Sequence, residues 1–221
     1  MRPRFRLLLL AGATVFVIVL ALILILDRPA TRSSDGGPVT TDTAAAENPS
    51  SGFDGALLPG GVGAPDFTLT NQYGRSISLG RVRGKVAILT FLSTDCAPTC
   101  PLVAQQIRGA LDELGRPVPT LIVSADPAAD DPAAVRHFLA EAALTGRADY
   151  LTGARAELRR VWHAYNVVPA QLADANSSHP AEVLLIDRAG RERDLFQVEQ
   201  LTPEALTHDI RKLDRDPTHP R

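Results

Sequence analysis

Cys96 and Cys100 are the two cysteines of the chain, and both fall inside the string LTFLSTDCAPTCP. An apolar run precedes them and a helical pattern follows, so they lie at a strand-to-helix junction. The end of a central strand is where α/β folds gather reactive groups, and the start of a helix offers free amide donors and a positive dipole end. Thiols placed there commonly become thiolates, which are nucleophilic and bind metal ions. The sequence therefore predicts a metal or redox role for this pair.

The spacing of the two cysteines suits a metal chelate. Three residues separate them, whereas ordinary disulfide oxidoreductases have two intervening residues. The sulfurs are then offset by about one helical turn and lie on one face, which also permits a disulfide. Two thiolates are soft donors that favour monovalent copper or zinc. A third ligand would complete a three-coordinate copper site, whereas a structural zinc site normally has four protein ligands.

The composition excludes several classes of protein. A net charge of -2 provides no basic surface for nucleic acid. Hydrophobic residues make up 45% and charged residues 22% of the 221 positions, which argues against wholesale disorder and against a polytopic membrane protein. Because Met1 is the one methionine, a methionine-rich copper site is excluded as well.

The N-terminal region predicts a membrane anchor. Residues 7–26 form an uncharged apolar run that spans about 30 Å as a helix, the thickness of the hydrocarbon core. Arg2, Arg4 and Arg6 precede the run, so residues 1–6 are expected in the cytoplasm and the remainder outside it. The run exceeds the roughly 7–15 apolar residues of a signal peptide and does not end in small residues. A retained single-pass anchor in the cell membrane is therefore favoured over a cleaved signal peptide.

Beyond the anchor, the chain divides into a linker and one domain. Residues 27–62 are rich in Thr, Ser, Gly, Pro, Ala and Asp, a composition that buries too little apolar surface to fold, so a flexible tether is expected. Residues 63–214 are interpreted as the folded domain, and residues 215–221 as a C-terminal tail.

Apolar periodicity predicts the elements of that domain. They are a hairpin over 64–70 and 75–79, strands over 85–91, 118–124, 150–152, 182–186 and 191–196, and helices over 101–114, 132–143, 154–165 and 203–213. Gly115 is expected to end the first helix, and Thr202 to cap the last one. This order predicts an α/β, thioredoxin-like fold with an added N-terminal β-hairpin.

Three strings give the domain a family resemblance. TFLSTDCAPTCP, VSADP and SSHPAEVLLIDRAG resemble the Sco/SenC family of cytochrome oxidase assembly proteins, and the similarity covers residues 63–213. The resemblance implies a thioredoxin-like fold that binds a copper ion through the motif cysteines and a distant histidine. In this chain these are Cys96 and Cys100, as thiolate ligands and a redox-active pair, and His179 as the imidazole ligand.

The resemblance also implies partners for the domain. Copper would be delivered to the subunit of a haem–copper oxidase that holds the binuclear copper centre, or the cysteines of that centre would be reduced, with a thiol reductant acting on the pair. Asp126 occupies the family's acidic position, where it has a supporting role or caps the next helix. Two positions depart from the family pattern: Ala97 replaces a proline, and Pro180 follows His179. Pro180 lies close to the place of the thioredoxin cis-proline, so thiol exchange stays open.

Three functions are therefore weighed. The first is a copper metallochaperone, and the second is a thiol–disulfide oxidoreductase in which copper is incidental. The third, a peroxiredoxin-like peroxidase, is weakened because Leu89 and Ser93 stand where such enzymes have proline and threonine. The remaining histidines are interpreted as structural or solvated; they are His137, His163, His208 and His219.

Overall fold

An eight-stranded mixed sheet forms the centre of the domain in the computed structural model, which describes residues 51–60, 62–96, 98–172 and 181–216. Its strands in chain order are β1 (Ala56–Leu57), β2 (Thr68–Asn71), β3 (Ser76–Ser78), β4 (Ala87–Leu92), β5 (Thr120–Ser124), β6 (Asp149–Thr152), β7 (Glu182–Ile186) and β8 (Glu192–Gln197). Across the sheet they run β1-β8-β7-β4-β5-β6-β2-β3. β4 with β5 and β5 with β6 pair in parallel, and the other neighbours pair antiparallel.

Some of the sequence predictions fall outside this part of the chain. The predicted anchor at residues 7–26, the predicted ligand His179 and most of the predicted linker are not among the described residues. Within the described ranges, no helix combines the length and the apolar character needed to cross a bilayer.

The two central strands are the continuous apolar runs of the sequence. Every residue of β4 and of β5 is buried, as expected for strands covered on both faces. Their parallel register sets Leu92 beside Ser124. The carboxyl ends of β4 and β5 therefore lie side by side at the same end of the sheet. The segment that carries the cysteines begins there.

Four helices accompany the sheet: α1 (Thr99–Leu114), α2 (Pro132–Glu141), α3 (Arg155–Ala164) and α4 (Pro203–Arg215). Shorter helical turns cover Leu79–Val82 and Pro169–Leu172. The predicted stop at Gly115 is confirmed by its left-handed φ of 63°. The predicted cap is confirmed too, since Thr202 Oγ1 accepts a hydrogen bond from the Ala205 amide at 3.1 Å. α4 continues to Arg215, a residue that the sequence analysis had placed in the tail.

α1 and α4 pack closely against each other. A Cβ atom at Gly109 would lie 2.7 Å from Cγ of Pro203, so only glycine permits this approach. Near the crossing, the Thr207 hydroxyl donates to the Ala110 carbonyl at 3.3 Å. The closing helix of the chain therefore packs directly against the second half of the helix that follows the cysteines.

The folded domain begins earlier than predicted. β1 lies inside the segment predicted as a disordered linker, yet it pairs antiparallel with β8, with Ala56 opposite Leu195. The Leu58 amide extends the pairing by donating to the Arg193 carbonyl at 2.9 Å. The prediction of disorder is therefore wrong for residues 51–60, because long-range pairing with β8 orders a stretch whose local composition favours no structure.

Asp187 organises the turn between β7 and β8. Its buried carboxylate accepts hydrogen bonds from the amides of Ala189 and Arg191, both at 2.9 Å. It also accepts from Arg191 Nε at 3.0 Å and from an Arg193 guanidinium nitrogen at 3.2 Å. Burial alone would raise the pKa of Asp187, but the hydrogen bonds from Arg191 and Arg193, together with the Arg191 charge, outweigh it and hold the pKa below its usual range.

Replacing this carboxylate should destabilise the domain in a pH-dependent way. Asp187→Asn is expected to lower the free energy of unfolding at pH 7 by about 2–4 kcal/mol, since buried donors lose a charged acceptor. The folded pKa lies below the unfolded value of about 3.9, so the contribution is complete above that value and is lost as the pH falls through the folded pKa. Urea denaturation of both proteins at pH 7 and pH 3 measures the difference.

Asp112→Asn is the matched control for this prediction. Asp112 also pairs with two arginines, Arg108 and Arg147, but its side chain is 48% exposed. An exposed pair contributes at most about 1 kcal/mol, so this variant should stay close to the wild type. Equal losses for the two variants would contradict a special contribution from the buried turn.

Candidate redox and metal site

The two cysteines form a disulfide where β4 leads into α1. Cys96 lies in the connecting loop and Cys100 in the first turn of the helix, with their Cα atoms 5.4 Å apart. The Cys100 amide donates to the Cys96 carbonyl at 2.9 Å, so the helical turn joins them as the spacing predicts. The pair is nearly inaccessible: Cys96 is 4% exposed and Cys100 0%. The structure therefore shows the pair in its oxidised form, buried within the hydrophobic core.

The local electrostatics favour thiolates once this disulfide is reduced. Pro98 stands at the cap position of α1 and supplies no side-chain hydrogen bond, and no acidic residue lies in the first turn. The positive end of the helix dipole is thus not neutralised by its own first turn. The Ser93 amide is 3.5 Å from Cys100 Sγ and donates to it. Both features place positive potential beside the sulfurs, as the start of a helix generally does for a thiolate.

A buried carboxylate, Asp130, holds the loop before Cys96. It accepts a hydrogen bond from the Thr94 amide at 2.7 Å and another from the Ser93 hydroxyl at 3.4 Å. On the neighbouring strand, the Ser124 hydroxyl donates to it at 2.6 Å. Asp130 therefore ties the ends of β4 and β5 together beneath the cysteine loop.

The family pattern in the sequence points to Asp126 rather than to Asp130. The structure gives Asp126 a local turn, in which its carboxylate accepts from the Ala128 amide at 3.0 Å. It does not cap α2; Asp131 does, by accepting from the amides of Ala133 and Ala134. The sequence signal for Asp130 was a pair of consecutive acids, Asp130 and Asp131, before Pro132. Only one of them can cap the helix, so the other must accept hydrogen bonds from other donors.

Two aromatic side chains donate hydrogen bonds to the carboxyl ends of β4 and β5. The Tyr150 hydroxyl donates to the Leu92 carbonyl at 3.0 Å, and Trp162 Nε1 donates to the Ser124 carbonyl at 2.9 Å. Burial, followed by the charge of and hydrogen bond to Asp130, raises the pKa of Tyr150 well above its usual value. The hydroxyl therefore keeps its proton and its bond to the strand end.

The structure places two of the three predicted ligands. Cys96 and Cys100 are brought together, whereas residues 173–180, which include His179, lie outside the described part of the chain. β7 starts soon after them at Glu182 and pairs antiparallel with β4, with Val183 opposite Thr90. The position of the imidazole relative to the sulfurs stays a prediction.

The match to a known protein family covers the same domain. The family model described as SCO1/SenC matches residues 59–214. No curated protein matches the chain.

Several solved structures share the fold. BsSco, described as a member of the Sco family of cytochrome c oxidase assembly proteins with a disulfide switch, is 23% identical with a TM-score of 0.60, over 72% of this chain and 96% of its own. Yeast Sco1 with copper bound is 22% identical with a TM-score of 0.62, over 74% and 100%. A SCO1/SenC family lipoprotein from Bacillus anthracis str. Ames is 22% identical with a TM-score of 0.58, over 71% and 98%.

Proposed function

The chain belongs to the SCO1/SenC family, and from this premise we propose that it is a copper metallochaperone. In its reduced form it binds one Cu(I) ion through Cys96, Cys100 and His179 and delivers it to the binuclear copper centre of cytochrome c oxidase. The ion is cargo, and the protein supplies two soft thiolates and one imidazole.

The observation that carries this proposal is the position of the cysteine pair. Both sulfurs lie at the uncapped start of α1, one helical turn apart, with a backbone amide directed at Cys100. Such a site stabilises two adjacent thiolates, which is what a monovalent soft ion requires. A relative of this fold, yeast Sco1, has been solved with copper bound.

The disulfide sets the order of events at the site. The bonded sulfurs of Cys96 and Cys100 are not thiolates, so a thiol reductant must act first. Two reductant thiols give up two electrons and two protons to the bridge, which becomes two cysteine thiols while the reductant becomes a disulfide. Copper then replaces the thiol protons.

The predicted anchor and linker support a location of this chemistry outside the cytoplasm. The arginines before residues 7–26 orient the apolar run with its N-terminus inside. The domain then stands on the outer face of the cell membrane, tethered near membrane-bound partners. The B. anthracis structure with the same fold is described as that of a lipoprotein.

The test is copper titration of the reduced full chain in detergent, without oxygen and against a Cu(I) chelator. One ion per chain is expected, and His179→Ala should weaken binding more than about tenfold, since even outer partners of a metal site cost roughly 10- to 100-fold. His137→Ala, which removes an exposed histidine of α2, is the matched control and should bind as the wild type does. Unaltered affinity in His179→Ala would remove the imidazole from the site.

The second candidate function is a thiol–disulfide oxidoreductase that acts on the oxidase subunit or on other exported thiols. The disulfide in the structure favours it, because a closed Cys96–Cys100 bridge is the oxidised half of such a redox couple. This function predicts reduction of an oxidised dithiol peptide at the same rate by His179→Ala and the wild type. A copper chaperone predicts instead that assembly activity falls with copper affinity.

A further inference from the structure

A second group of potential ligands lies where the first residues of the domain meet α4. His208 Nδ1 is 2.8 Å from Asp209 Oδ1 and 3.0 Å from Asp54 Oδ2. The three donor atoms all lie within 4.8 Å of one another. His208 was interpreted from the sequence as structural or solvated, yet here one ring nitrogen faces two carboxylates that are far apart in the chain.

Asp209 is held in place by the backbone of the residues before β1. Its side chain is fully buried and accepts hydrogen bonds from the amides of Asp54, at 2.9 and 3.1 Å, and of Gly55, at 2.9 Å. These bonds fix the carboxylate with Oδ1 toward His208. The donor geometry is therefore set by the fold rather than by free surface side chains.

Asp194, on β8, supplies the independent observation. It is fully buried, and neither carboxylate oxygen has a hydrogen-bond partner among the described residues. Its carboxylate lies against Gly55, where a Cβ atom would be 2.5 Å from Oδ1. A polar group left unpaired in the interior is costly, so its presence beside Asp209 calls for a compensating positive charge.

The described residues provide no lysine or arginine that forms an ion pair with these three aspartates. Lys212 is close by, but its Nζ donates to the Ser51 carbonyl at 2.8 Å and lies over the Phe53 ring. A cation bound beside these carboxylates would supply the positive charge that no lysine or arginine of the described residues provides.

We propose that this cluster binds a divalent first-row transition ion such as Zn²⁺. His208 Nδ1, Asp54 Oδ2 and Asp209 Oδ1 are the ligands, and the buried carboxyl group of Asp194 lies beside Asp209. One imidazole with carboxylate oxygens is a donor set for such ions and lacks the soft sulfur that Cu(I) prefers. Ligands about 2.1 Å from a tetrahedral ion stand about 3.4 Å apart, so small side-chain movements suffice.

The ion would join the beginning of the domain to its closing helix. Asp54 lies two positions before the first residue of β1, and His208 and Asp209 belong to α4. Because the ion binds the folded protein and not the separated ends, it should raise the melting temperature by about 5–10 °C at a hundredfold excess over Kd.

Zinc titration of the full chain in detergent tests the site, with Cys96 and Cys100 kept as the disulfide so that no thiolate takes the metal. Calorimetry is expected to show one Zn²⁺ per chain together with the rise in melting temperature. His208→Ala and Asp54→Asn should each weaken binding at least tenfold. Both side chains are about half exposed, at 54% and 50%, so the variants should fold.

Two controls separate this site from the cysteine site. His137→Ala removes an exposed histidine that faces one carboxylate, Glu141, and should leave zinc affinity unchanged. His179→Ala should also leave it unchanged, whatever its effect on Cu(I). Absence of zinc binding up to 1 mM would overturn the proposal. Undiminished binding in both His208→Ala and Asp54→Asn would overturn it as well.

Discussion

Oxidised protein, with Cys96 and Cys100 joined, is expected to bind no Cu(I), whereas reduced protein binds one ion per chain. The reason is that disulfide sulfurs carry no thiolate charge and their lone pairs are poor donors compared with thiolates. Anaerobic competition with a Cu(I) chelator, on the same preparation before and after reduction, measures both states. Cu(I) should bind the reduced protein and not the oxidised protein at all, which makes this the largest of the expected effects.

Cys96→Ser tests by mutation the same requirement for two thiolates. At neutral pH a hydroxyl oxygen is a hard, protonated donor. Cu(I) affinity should therefore fall by more than about a hundredfold, a larger loss than removal of a residue that only hydrogen-bonds to a metal ligand would cause. Ser93→Ala, which changes a neighbouring hydroxyl and keeps both sulfurs, is the control and should retain most of the affinity. Copper binding that survives oxidation, or that survives Cys96→Ser, would mean that the sulfurs are not the ligands.

Asp130→Ala is expected to lower the free energy of unfolding by about 3–5 kcal/mol, the second large effect. Its carboxylate satisfies the Thr94 amide and the Ser93 and Ser124 hydroxyls in the interior, and removing it leaves all three donors unpaired. Chemical denaturation at pH 7 measures the change. The ends of β4 and β5 should also show faster amide exchange, because the bond that joins them through Asp130 is lost.

The neighbouring acid provides the control for that result. Asp126→Ala removes a carboxylate from the same loop that accepts one local amide hydrogen bond and is only partly buried. A loss of about 1 kcal/mol or less is expected for it. If the two variants lost the same stability, the Asp130 network would not be what holds the strand ends.

The contrast between these two acids shows how far sequence reasoning reaches. The apolar runs of β4 and β5 and the glycine stop at Gly115 were predictable, because each depends on neighbouring residues. The choice between Asp126 and Asp130 was not, since it depends on which carboxylate faces the hydroxyls of two strands. Spacing along the chain contains no information about that direction.

Long-range contacts account for the other differences. β1 has two residues in a stretch rich in serine and glycine, and only its pairing with β8 makes it a strand. Likewise Asp54 and Asp209 are 155 residues apart and meet because β1 pairs with β8 and the closing helix packs beside them. The placement of the two cysteines, by contrast, was predictable, because a separation of four positions at a strand-to-helix junction brings them within one helical turn of each other.

The short span of the bridge has a consequence for the working cycle. Cys96 and Cys100 are separated by four positions, so closing the ring restricts the unfolded chain little, by about 2 kcal/mol on the chain-entropy scale. The buried sheet, and not this small loop, provides most of the folding free energy. Opening the bridge should therefore leave the scaffold intact, and under the proposed function the domain stays folded both as the oxidised, copper-free form and as the reduced, copper-bound form.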